Sequence, residues 1–255
     1  MTPYSLPLPT RLLALIATVP LAAAADLRPL STDRPDVTES PHTVDAGHLQ
    51  FEMEIANWSK DGRERDLTLG ELNAKIGLTS STDVQLVLPF YQHQRHGDDG
   101  FGDIQIRVKH NLWGNDDGPT ALAVMPFIQL PTADDSLGSG EFEGGVIVPF
   151  GFEGPAGWSF GTQAELDLVA ADHGGHQLAF LASATASHSI TECTGGFVEM
   201  VGIASTSGGD DFEAYFNTGL TWLVTPTLQF DGGVRVGLTS ASVDFSPFVG
   251  VSAKF

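Results

Sequence analysis

Basic residues and cysteine are what this chain has least of. Lysine and arginine number 12 against 32 aspartates and glutamates, a formal net charge of −20 over 255 residues. A polyanion of this kind repels nucleic acid and anionic lipid, so neither is an expected partner. A single cysteine, Cys193, leaves no internal disulfide to hold the fold. Long hydrophobic runs are also scarce. Past residue 25, no window of helix-spanning length escapes glycine, proline or charge, which argues against an inner-membrane helical protein. Yet 42% of the residues are hydrophobic, far too many for a disordered acidic chain.

The one greasy stretch lies at the start. Arg11 precedes an apolar run from Leu12 to Leu21, followed by alanines up to Ala25. That order is a secretory signal, with cleavage expected after Ala25 and Asp26 as the new N-terminus. The run is shorter than the roughly 20 apolar residues a membrane helix needs. The protein is expected to leave the cytoplasm.

From residue 47 onwards the chain alternates with a period of two. In residues 47–59, His48, Gln50, Glu52 and Glu54 share one face, and Leu49, Phe51, Met53 and Ile55 the other. A helix would scatter these residues; a strand separates them. Residues 101–113 oppose Asp103, Gln105, Arg107 and Lys109 to Ile104, Ile106, Val108 and Leu112, and Gln229, Asp231 and Arg235 alternate with Leu228, Phe230, Val234 and Val236. The pattern is weaker over 177–189 and 196–204, where spacing carries the assignment. Short turn signals at 80–83, 114–118, 154–157, 190–192 and 225–226 interleave with connections at 60–65, 96–100, 132–141, 172–175, 207–211 and 239–242. Eleven connections predict twelve antiparallel strands of about 9–11 membrane-crossing residues, with both termini in the periplasm. Merging two weak hairpins would give ten strands, and splitting 132–152 fourteen. The expected fold is therefore all-β: a transmembrane antiparallel up-and-down β-barrel in the outer membrane of a Gram-negative bacterium. Trp113, Trp158 and Trp222 fall towards periplasmic strand ends, and Trp58 and Tyr91 towards the other rim, where amphipathic rings favour the bilayer interface.

The chain ends on Phe255, with Ala253, Val251 and Val249 alternating behind it. This is similar to the terminal-strand signal of outer-membrane proteins, which implies the barrel assembly machinery as a partner. A family resemblance rests on Ser31-Thr32-Asp33-Arg34-Pro35-Asp36-Val37-Thr38-Glu39-Ser40-Pro41 followed by Val44, Gly47, Gln50 and Glu52. Gly100-Phe101-Gly102-Asp103, Leu130-Pro131-Thr132 and Gln229-Phe230-Asp231-Gly232-Gly233 support it. The chain resembles, over essentially its whole mature length, the outer-membrane family named for transport in the meta-pathway of phenol degradation. The resemblance implies a barrel passing small, often aromatic, compounds, and no enzymatic activity.

With apolar faces towards lipid, the candidate lumen-lining residues are Glu52, Glu54, Glu71, Lys75, Asp103, Arg107, Lys109, Glu165, Asp167, Glu199, Asp231 and Arg235, with Glu213 beside them. Charges of both signs should pair across a narrow lumen, either as a network that only fills it or as a narrow, cation-favouring path. Barrels of about eight strands are filled by side chains and those of about sixteen hold open channels, so twelve predicts a pore that is easily obstructed. Residues 26–46 are rich in proline and polar side chains and lack alternation. They either hang in the periplasm or, as their charges Asp33, Arg34, Asp36 and Glu39 favour, fold inwards as a plug.

Enzyme signatures fit less well. Gly157-Trp158-Ser159-Phe160-Gly161 matches G-x-S-x-G, with Asp167 and His173 following in hydrolase order, but that elbow requires a helix after the serine and a strand is predicted. His188 and Ser189 are strand neighbours and point to opposite faces. His93 with His96 and His173 with His176 diverge on extended chain. The pairs Asp98-Asp99, Asp134-Asp135 and Asp210-Asp211 read as solvated loop tips, with bridging of lipopolysaccharide through divalent cations as the functional alternative. No cofactor and no resident metal are expected. The reading is a channel or uptake barrel for small molecules, hydrophobic or aromatic ones included, with outer-membrane lipid and lipopolysaccharide around it. A lipid-modifying hydrolase and a structural barrel with a closed lumen are the alternatives.

Overall fold

A computed structural model describes residues 27–94, 97–134, 137–171, 174–206 and 212–255. The expected signal peptide, Asp26, His96, Asp135, His173, Asp210 and Asp211 lie outside the described residues.

Alternating polar and apolar residues fold into twelve long strands: β1 (Leu49–Asp61), β2 (Glu64–Thr79), β3 (Thr82–Gln94), β4 (Ile104–Trp113), β5 (Thr120–Leu130), β6 (Glu143–Glu153), β7 (Trp158–Ala170), β8 (His176–Ser189), β9 (Thr194–Ser205), β10 (Glu213–Thr225), β11 (Leu228–Gly237) and β12 (Phe245–Lys254). Each pairs antiparallel with its neighbours in sequence. β12 pairs in turn with β1, from Gln50 opposite Lys254 to Lys60 opposite Phe245, so the sheet closes. Closure leaves no row of free backbone donors at an edge, the condition for a sheet to stand in hydrocarbon. A two-residue piece, Asp99–Gly100, adds to the end of β3. Among the described residues no helix is long and apolar enough to cross a membrane.

The barrel is polar inside and apolar outside. On β1, Gln50, Glu52 and Glu54 are at most 6% exposed, whereas Ile55, on the other face of the strand, is 42% exposed. On β7 and β8 the outward Leu166, Leu168, Leu178 and Phe180 are all about half exposed. Such a wall is stable only against lipid. The connections at 80–81, 114–119, 154–157, 190–193 and 226–227 share one end with Leu27 and Phe255, and the other end holds the two-residue turn at 62–63 and the longer connections.

Strands run further into two expected connections, leaving 62–63 of 60–65 and 80–81 of 80–83, and one strand starts later than expected. The strand expected from Phe101 begins at Ile104. Asp103 Oδ1 accepts the N–H groups of Thr132 (2.7 Å) and Ala133 (2.8 Å), and the Gly102 N–H bonds to the Pro89 carbonyl. The carboxylate thus competes with the sheet ladder and pins Thr132 and Ala133. Asp103 therefore sits in a connection at the rim rather than on a strand, and from there it lines a cavity shared with the inward-facing Glu71, Gln105 and Arg107.

Candidate functional site

Residues 27–46 contain little regular structure, and their backbone polar groups need partners. The inner faces of the strands supply them. Glu52 Oε2 accepts the N–H groups of Asp33 (2.9 Å) and Arg34 (3.0 Å). Glu199, 1% exposed, accepts the N–H of Val37 (3.0 Å), the N–H of Thr38 (2.7 Å), the Thr38 hydroxyl (2.6 Å) and Asn217 Nδ2 (2.7 Å). Gln163 Oε1 takes the N–H of Glu39 at 2.7 Å, Asp83 Oδ2 that of Val44 at 3.0 Å, and Asn111 Nδ2 donates to the Pro41 carbonyl at 2.8 Å. The segment is stitched to the barrel interior from β1 round to β11.

Ion pairs complete the attachment. Asp33 joins Lys75 and Lys109, each at 2.5 Å, and Lys75 also meets Glu52. Lys109 donates a further bond to the Ser40 carbonyl at 2.8 Å. Arg34 bridges Glu54 (3.2 Å) and Asp231 (2.9 Å), and Glu39 pairs with Arg107 at 2.6 Å. Arg235 reaches Glu54 at 3.3 Å and lies over the Phe248 ring, which Arg34 also approaches. At the terminus end Lys254 and Arg28 clasp Asp45, at 3.1 and 2.8 Å. Burial alone would raise the Asp45 carboxyl, but Arg28 and Lys254 together hold it below its ordinary value. Pairing of this density is what makes buried charge tolerable.

Two cavities flank the segment. One of about 520 Å³ lies towards the longer connections, lined among others by Asn57, Thr68, Glu71, Leu181, Ile203 and Tyr215. The other, about 470 Å³, lies towards the termini and is rich in hydroxyls, with Ser159, Thr185, Ser187 and Thr221 on its wall. Arg34, Pro35, Asp36 and Glu39 line both, so the segment forms the partition between them.

The remaining expected lumen residues are more scattered. Glu71 lines the larger cavity with neither a hydrogen bond nor an ion pair. Glu165 accepts Gln163 Nε2 at 2.8 Å, Asp167 keeps one buried oxygen without a partner, and Glu213 accepts the Tyr215 hydroxyl. The lumen set expected from sequence omitted Gln50, Asp83, Asn111, Gln163, Asn217 and Lys254, all buried and most of them bonded to the 27–46 segment. The signal was available for Gln50, Asn111, Gln163 and Asn217, each of which shares strand parity with a recognised charge, whereas β3 and β12, which carry Asp83 and Lys254, held no recognised charge to set the parity. Phe248 was missed because an aromatic on an inward position breaks the apolar-outside rule, and only the two guanidinium groups stacked on it explain the exception.

The G-x-S-x-G residues do not assemble an active site. A single 3-10 turn, Pro155–Gly157, precedes Ser159, and strand β7 continues beyond it. Ser159 stands opposite Ser187 and donates to Glu153 Oε2 at 2.8 Å. His188 belongs to the opposite face, against the Trp158 ring at 5.0 Å and the Ala156 carbonyl at 3.0 Å. Among the described residues no group of three or more His, Cys, Asp or Glu side chains is placed to hold a metal ion.

A closed, all-antiparallel barrel of twelve strands with a lipid-compatible wall and a charged interior defines the transmembrane β-barrel class. The chain belongs to the family described as "Putative MetA-pathway of phenol degradation", which matches residues 32–255. No curated protein matches it. Its fold is similar to that of NanC porin, with 11% identity, a TM-score of 0.58, and coverage of 81% of this chain and 100% of that one. KdgM porin is similar at 9% identity and a TM-score of 0.52, over 82% of this chain and 99% of the other.

Proposed function

We propose that the protein is an outer-membrane uptake channel for small molecules, hydrophobic and aromatic ones included, in which residues 27–46 act as a plug. The observation that carries this reading is the partition: Arg34, Pro35, Asp36 and Glu39 stand between two solute-sized cavities, one opening towards each end of the barrel. A barrel serving only as a scaffold gains nothing from two voids of this size on either side of a non-strand segment. The end with Leu27, Phe255 and the turns at 80–81 and 226–227 is assigned to the periplasm. Family membership supports passage of aromatic compounds, and the apolar side chains Leu181, Val201 and Ile203 in the outer cavity suit them. The terminal strand β12, ending at Phe255, is the part offered to the assembly machinery.

The test is single-channel conductance of the refolded mature protein in a planar bilayer, with and without residues 27–46. Steady steps after deletion, with little or no current before it, are expected. Silence in both forms, with the heat-modifiable barrel intact, overturns the channel reading.

A further inference from the structure

In the outer cavity most carboxylates are matched. Asp33 and Glu52 are held by Lys75 and Lys109, Glu54 by Arg34 and Arg235, and Glu39 by Arg107. Two are left without an ion pair, Asp36 on the 27–46 segment and, on the barrel wall, Glu71, which lines the cavity with no hydrogen bond either. Its position sharpens the mismatch. Glu54 and Glu71 are directly opposite on β1 and β2, where like charges repel. Of the three cations on this side of the cavity, Arg34 and Arg235 are bonded to Glu54 and Arg107 to Glu39, so none makes a direct ion pair with Glu71. Gly70, with φ +71, interrupts the regular strand conformation immediately before Glu71. Across the cavity, β8, β9 and β10 present Leu181, Val201, Ile203 and the Tyr215 ring. One wall therefore offers an unmatched negative charge, and the facing wall offers apolar surface.

We infer that the outer cavity is a binding site for a small amphipathic organic cation, with its ammonium group on Glu71 and its apolar body against Leu181, Val201 and Ile203. The inference rests on the outer cavity being reachable by solute, as in the channel reading, and it specifies the charge class that the site prefers. An ammonium on Glu71 supplies the missing counter-charge in a poorly hydrated place, where such a pair is worth more than in bulk water. A carboxylate in the same position would add a third negative group to Glu54 and Glu71. A neutral body of equal size gains the apolar contact alone.

Three probes with one apolar body separate these cases: 2-phenylethylamine, 2-phenylethanol and phenylacetate. They would be titrated calorimetrically into the refolded mature chain in detergent at neutral pH. The amine is expected to bind at least tenfold more tightly than phenylacetate, with the alcohol between them. Glu71→Gln is expected to abolish the advantage of the amine over the alcohol and leave the alcohol within about twofold. Equal or tighter binding of phenylacetate, a preference that survives Glu71→Gln, or no binding by any probe overturns the inference. The wild-type ranking decides even if Glu71→Gln does not refold, and Glu71→Asp, which keeps the charge, provides a second variant expected to retain the preference. Conductance plays no part in this titration, so failure of the channel reading and failure of the cation site are distinguished.

Discussion

Replacing Arg34 by alanine isolates the bond between the plug and the wall. Asp231 has a fully buried side chain, and Arg34 Nη2 at 2.9 Å is its ion-pair partner. Removing the guanidinium leaves Asp231 charged and unmatched while the plug is docked, and rehydrated once the plug leaves. Breaking one side of a buried pair costs about 3–5 kcal/mol. The low end applies here, because Glu54 keeps Arg235 and the Arg34 side chain is itself 14% exposed. At about 1.4 kcal/mol per factor of ten, a loss of about 3 kcal/mol shifts the docked-to-released ratio on the order of 100-fold. The readout is hydrogen exchange at the Asp33, Val37 and Thr38 amides, which donate to Glu52 and Glu199 when docked. Their exchange should accelerate by that order in Arg34→Ala, and by less in Arg34→Lys, which keeps a charge but lacks the planar fork that spans Glu54 and Asp231. Rates within threefold of wild type would show that Arg34 does not hold the plug.

Gly250 stands against the Arg34 guanidinium, and a β-carbon there would displace it. Gly250→Val should therefore accelerate the same amides, and combining it with Arg34→Ala should add little, since both act on one contact. Lys109→Met removes a cation that is 1% exposed and bonded to Asp33 and the Ser40 carbonyl. It should destabilise the folded barrel by about 3 kcal/mol, read as a lower temperature for loss of the compact band on gels. The clasp on Asp45 has an acid limit. A carboxyl whose folded value lies below its reference of 3.8 contributes stability above that value and loses it as pH falls. Protease cleavage within residues 27–45 should thus rise as pH drops below about 4, and much less so in Asp45→Asn, whose clasp is already neutral.

Strand positions were legible in the sequence because a barrel wall in lipid imposes a period of two on every crossing, and turns must interrupt it at regular distances. Glu52 and Glu54, or Lys109 and Asn111, occupy the face opposite Ile55 or Leu112 for that reason alone. Asp103 falls outside its expected strand because a short side chain near a strand end can bond to backbone groups more than twenty residues away in sequence, and alternation carries no trace of that. The 27–46 segment has no period to read. Its charges suggest a polar environment, but a solvated tail would have the same composition.

Alternation and the chain's apolar content were thus sufficient to determine a closed antiparallel wall with acids and bases on one side, since those depend only on neighbours along the chain. The tertiary structure decided which charge meets which. Asp33 reaches Lys75 and Lys109, Arg34 reaches Asp231, and Thr38 reaches Glu199 because closure brings strands distant in sequence around one narrow axis, and buried charges there must find counter-charges across it. Glu71 is left over by the same three-dimensional sorting, and no local pattern in the sequence distinguishes it from Glu54.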